Sequence, residues 1–141
     1  MKSYTDIEQS KKLAEILPIE SADGHYVRKL TDFMGNPANG EWSNPKYGNP
    51  NSKHANYMVQ NFTSYEIIPC WSLAALLNIL PQKYYPIKDH ETNLILGKPK
   101  DKWCVLYWDA TGMQDGEQTL GGSPIDACVE MILKLKEKNL I

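Results

Sequence analysis

The chain has no basic excess. Its 15 Lys and Arg are outweighed by 17 Asp and Glu, for a net charge of −2, whereas a nucleic-acid binder normally carries a basic stripe. No run of like charges forms an acidic or basic tail. No apolar segment opens the chain: Met1-Lys2-Ser3-Tyr4-Thr5-Asp6-Ile7-Glu8 lacks the hydrophobic stretch of a signal peptide, which leads us to expect a cytoplasmic protein. No apolar run approaches the roughly 20 residues that span a bilayer, so no membrane partner is expected either. Cysteine is scarce and odd in number. Cys70, Cys104 and Cys128 each sit in an apolar context, which suits reduced, buried thiols better than a disulfide frame. His25, His54 and His90 are scattered singly, with no Cys or His at ligand spacing, so neither a metal nor a cofactor is expected. Repeats and low-complexity segments are lacking as well. At 141 residues the chain is long enough for one core, and we expect a single globular domain over 1–141.

What the chain does have is one strongly apolar stretch, residues 65–81. Pro69 suits the first turn of a helix, and Pro81 disfavours α geometry at Leu80 and so closes it. Between them Leu73, Ala74, Leu76, Leu77 and Leu80 fall at helical spacing, with Trp71, Ala75 and Ile79 on the remaining sides. The spacing predicts a helix from Pro69 to Leu80, buried nearly all round, with Leu76 and Leu77 deep in the core.

Three further helices are predicted before it. Thr5-Asp6-Ile7-Glu8 has the form of a capping box, starting a helix that runs to Leu17, ahead of Pro18. Ser21 can cap a second, in which Tyr26, Leu30, Phe33 and Met34 share a face and Gly35 stands at the left-handed position after the last turn. Gly24 weakens its start. Ser52 can cap a third, with Ala55, Met58, Val59 and Phe62 as its apolar stripe.

Beyond Pro81 the pattern changes. Thr92–Leu96, Lys102–Trp108 and Glu117–Leu120 are short strand-like runs divided by polar, glycine-bearing turns. In Lys102–Trp108 both alternating faces are apolar, which predicts the central strand of an antiparallel meander. Ser123, Pro124 and Asp126 then make a strong helix start, followed by the stripe Ile125, Cys128, Val129, Ile132 and Leu135. The expected fold is therefore α+β: helices in the N-terminal half, a three-stranded antiparallel meander, and a C-terminal helix packed on the sheet. Gly121-Gly122-Ser123 before that helix can in principle cradle an anion, a weak signal without a Lys-Ser/Thr signature.

Two places carry functional signals. Residues 35–51 form a long connector with the turn formers Asn36-Pro37, Asn39-Gly40, Asn44-Pro45 and Asn49-Pro50. Connectors of that length are often functional, and Trp42 and Tyr47 mean that aromatic rings in it dock on something. That surface is either the protein's own core or a partner. On the second alternative Trp42, Tyr47, Asn44 and Asn49 are the contact residues, for a protein partner or a small ligand. The other signal is Cys70. A helix starting at Pro69 would lower its thiol pKa, against the ordinary alternative of a cysteine packed as a small hydrophobe.

Pro69-Cys70-Trp71 at a helix start resembles the nucleophile position of papain-like and transglutaminase-like enzymes. That resemblance implies an acyl-transfer or hydrolytic reaction with Cys70 as nucleophile, His90 as base and Asp109 as orienting group. The combination of Gln9-Ser10-Lys11-Lys12-Leu13, Pro69-Cys70-Trp71-Ser72-Leu73-Ala74-Ala75-Leu76-Leu77 and Asp126-Ala127-Cys128-Val129-Glu130-Met131-Ile132 resembles a family of short intracellular proteins of gut bacteria and their phages or mobile elements, to which no activity is assigned. This second resemblance implies a stand-alone cytoplasmic protein with a binding or accessory role.

Overall fold

The computed structural model of the chain describes residues 2–32, 34–38, 40–51, 64–87, 90–109 and 117–141, with the backbone alone at 84–87, 90–91 and 109. It is mixed α and β, and it divides into two compact units: Tyr4–Ser72, and Leu73–Ile141 together with Met1–Ser3. Among the described residues no helix is long and apolar enough to cross a membrane.

The first unit opens with α1 (Ile7–Ala14). Its cap lies one residue later than the sequence suggests. Asp6 accepts from the Gln9 amide and the Gln9 side chain answers the Asp6 amide, which closes the box with Asp and Gln. Thr5 is thereby released inward, where it is fully buried and bonds the Ser10 hydroxyl at 2.8 Å and the Trp71 amide at 3.1 Å. A short 3-10 turn, Ile19–Ser21, follows.

The helix expected from Ser21 to Met34 is instead a strand, β1 (Gly24–Thr31). Two periodicities competed in this segment. Tyr26, Leu30 and Met34 satisfy the helical one, but Gly24-His25-Tyr26-Val27 has the β-branched and aromatic content of a strand, and glycine disfavours a helix start. Gly35 does take the left-handed backbone, with φ of 80°, in a turn closed by its amide on the Asp32 carbonyl.

β1 pairs antiparallel with β2 (Lys46–Tyr47) on one side and β3 (Ser64–Cys70) on the other. Pro69 and Cys70 thus end a strand and do not start a helix. An edge strand tolerates a proline because one side of it is not called on for ladder hydrogen bonds. Gly24 lies where strands and chain start converge. A Cβ there would meet the Tyr4 ring at 2.5 Å and the Cys70 sulfur at 2.8 Å. The helix proposed for residues 52–62 lies outside the described residues, as does Asn39.

The second unit begins with α2 (Leu73–Ile79), shorter than the predicted Pro69–Leu80 helix. Leu76 is fully buried, but Leu77 is only half-buried and Ala74 is exposed, so this helix has a wet side. A four-stranded antiparallel sheet follows in the order β4 (Lys83–Ile87), β5 (His90–Gly97), β6 (Trp103–Asp109), β7 (Gln118–Gly121). The three meander strands are present, with β6 internal as expected. β4 is an addition to the expected three strands; it stands on the sheet edge, where its Pro86 is tolerated. α3 (Pro124–Glu137) packs on β6, β7 and α2. Its start is as predicted, the Ser123 hydroxyl accepting from the Asp126 amide at 3.1 Å.

Candidate functional site

The described part of the 35–51 connector is laid along the outer edge of β1. Its backbone is tied down by Ala38 N to Leu30 O, Ser43 N to Val27 O and Gly48 N to Asp23 O, at 3.0, 2.8 and 2.9 Å. The Ser43 hydroxyl accepts from the Val27 amide at 3.2 Å, so this segment imitates a strand partner before β2 becomes one. The buried His25 ring holds the far end through Nδ1 to the Gly48 carbonyl at 2.8 Å.

Within that frame the four sequence candidates have different fates. Tyr47 is 86% exposed. Its register partner is Gly24, and directly paired residues share a sheet face, so Tyr47 and the Tyr4 ring flank the bare backbone of Gly24. Trp42 is half-buried and already occupied: the Arg28 guanidinium lies 4.7 Å from its ring centre and the Lys11 ammonium 5.8 Å. Arg28 is itself held by Glu66, with Nε 2.6 Å from Oε2. Asn44 is exposed, its carbonyl accepting from Ser43. Asn49 is a fastener. Its side-chain amide donates to the Ile19 and Ala22 carbonyls at 2.7 and 2.8 Å while its oxygen accepts from Asn51 N.

Trp42 and Tyr47 therefore stand on one sheet side but at separate stations. Arg28 is four residues from Gly24 along β1, about 13 Å at strand rise. Sequence reasoning missed Tyr4, Lys11 and Arg28, which complete this surface. Nothing local in the sequence marks them, because they meet the loop only through the β1 register and the placement of α1.

Cys70 is fully buried, and its thiol is pushed up to about 12, chiefly by burial and further by the Asp23 carboxylate. Asp23 is fixed beside it by the Ser72 amide, at 2.8 Å, and the Ser72 hydroxyl. A nucleophilic cysteine needs access and a depressed pKa; this one has neither. His90 opens β5 and Asp109 closes β6, and their side chains lie outside the described part. No group of His, Cys, Asp or Glu suited to a metal ion occurs among the described residues. At the start of α3, Lys2 pairs with Asp126 at 2.5 Å, and the Asp126 carboxylate lies close to Gly122. An anion cradled by Gly121-Gly122-Ser123 would meet a negative charge already in place. Comparison of the chain with family models, curated proteins and solved structures finds no match.

Proposed function

We propose that the chain is a small cytoplasmic binding or accessory module, associated with a phage or mobile element, that recognises a protein partner through the 42–49 segment with Tyr47 as its anchor. One observation carries this reading: a tyrosine 86% exposed on a backbone hydrogen-bonded at both ends. A tyrosine offers a large amphipathic contact at little entropic cost, and a segment fastened beforehand loses little more freedom on binding. Asn44 adds adaptable polar contact. Trp42 and Asn49 support the segment from beneath, the first through its cations and the second through the carbonyls it ties.

The test is affinity capture from lysate of the source cells, comparing the wild type with Tyr47→Ala. Glu130→Ala, an exposed change on α3, serves as control. Tyr47→Ala is expected to lose the captured protein while melting as the wild type does, and Glu130→Ala to retain it. Equal capture by Tyr47→Ala removes the anchor from this segment.

A further inference from the structure

The two faces of the four-stranded sheet differ. Thr92, Leu94, Leu96, Val105 and Tyr107 point to the side where α3 packs and are buried or half-buried. On the other side the register sets Ile95 beside Leu106, Asn93 beside Trp108 and Leu120 beside Cys104, which is itself buried. Ile95 is 41% exposed, Trp108 38% and Leu120 50%. These side chains are neighbours across β5, β6 and β7, so they form one apolar face.

That face has a rim with an excess of positive charge. The β5–β6 turn reads Lys98-Pro99-Lys100-Asp101-Lys102, all of it exposed, with three ammonium groups to one carboxylate. A hollow of about 450 Å³ runs from this rim to Leu120, lined by Pro99, Lys100, Asp101, Lys102 and Gln118. Among the described side chains of the face itself none is acidic. Glu117 is engaged by Lys134 and Lys138.

We infer that this face docks an extended acidic peptide segment of another protein, whose apolar side chains cover Leu120, Leu106, Ile95 and Trp108 while its carboxylates meet Lys100 and Lys102 over the hollow. The inference is independent of the Tyr47 surface. Charge complementarity chooses the partner: lysines at the rim of an apolar strip attract carboxylates and repel cationic segments. A second copy seated on the same face would bring its own lysines with Asp101 as the one rim carboxylate to answer them, because a two-fold interface presents one patch to itself. An anionic membrane fits less well. The apolar side chains keep about half or more of their surface packed in the sheet, a floor and not the protruding wedge that enters a headgroup layer.

The probes are fluorescein-labelled peptides of about eight residues, enough to run the length of β6 in extended form. They carry the same Leu and Phe positions and differ only in having Glu, Lys or Ser between them. Fluorescence anisotropy with the full chain is expected to show binding of the Glu peptide at least about tenfold tighter than the Lys peptide, weakening as salt is raised. Leu120→Ser should weaken the Glu peptide by a similar factor without shifting the melt, and Lys100→Glu with Lys102→Glu should turn the preference toward the Lys peptide. Absence of binding, binding without charge preference, or a preference unmoved by the lysine reversal overturns the proposal. So does a dimer in sedimentation that Leu120→Ser dissolves, or tighter association with phosphatidylserine vesicles than with the Glu peptide.

Discussion

A buried thiol is a liability at high pH, and this chain has two whose sign can be worked out. Cys70 and Cys128 are each raised from near 9 to about 12, Cys70 by burial and then by Asp23, Cys128 by burial. Between those values the unfolded chain gives up thiol protons that the folded chain keeps. The folded state then binds more protons than the unfolded one, and stability falls as pH rises. The contribution is intact below pH 9 and is lost progressively toward pH 12. Tyr26, pushed to about 12 by burial and by its neighbours Cys70 and Asp6, acts in the same direction. Urea unfolding of the wild type followed above pH 9 should therefore show a steeper loss of stability with pH than Cys70→Ala. At pH 8, iodoacetamide should label Cys70 only when denaturant is present. Labelling of the folded protein at the rate of a free thiol would reopen the sulfur as a site. The sequence offers both readings of Cys70, a thiol buried in an apolar context and one activated at a helix start, and the extension of β3 through Cys70 removes the helix start on which the second rests.

At the scale of elements, what was legible follows from how local the cause is. The start and buried stripe of α3 were readable because its cap, its first-turn proline and its apolar residues all lie in one contiguous stretch. β6 was readable because alternating apolar faces need no partner to be seen. β1 was not, since its strand character is settled by β2 and β3, which arrive 15 or more residues later. The loop was recognisable as a candidate surface, but not which of its aromatic rings would be presented, because Arg28 and Lys11 come from other elements. A similar non-local contact sets a test on α3. A Cβ on Gly121 would meet the Ala127 amide nitrogen at 2.5 Å and the Asp126 carbonyl carbon at 2.8 Å, whereas one on Gly122 comes no nearer than 3.7 Å to the Asp126 carboxylate. The first contact is with helix backbone, which cannot turn aside, so Gly121→Ala must lift the start of α3 from β7 at a cost of about 1–3 kcal/mol. Gly122→Ala should be neutral or gain up to about 1 kcal/mol by restricting the unfolded chain. Urea midpoints of the two variants check this, and equal loss in both would mean that close approach at Gly121 is not what sets α3 on the sheet.

For the whole molecule, the question is whether the two compact units share one unfolding transition, as a single domain over 1–141 requires. Each has its own buried residues. In the first, Leu13 of α1 is fully buried and α1 packs on β3. In the second, Ile132 of α3 is fully buried and α3 packs on β6, β7 and α2. Removing either side chain leaves a cavity costing roughly 2–5 kcal/mol, a large part of the 5–15 kcal/mol typical of a domain. Local opening lowers hydrogen-exchange protection only within the cooperative unit that opens. If each unit opens on its own, Ile132→Ala should speed amide exchange in β5, β6 and α3 while leaving β1 and β3 near wild type, and Leu13→Ala should do the reverse. Because the candidate loop hangs on β1 and the apolar sheet face is made by β5, β6 and β7, Ile132→Ala would then weaken the acidic peptide while Tyr47-dependent capture persists. Exchange that accelerates equally in both units for either variant would mean one cooperative domain, in which the two surfaces cannot be lost separately.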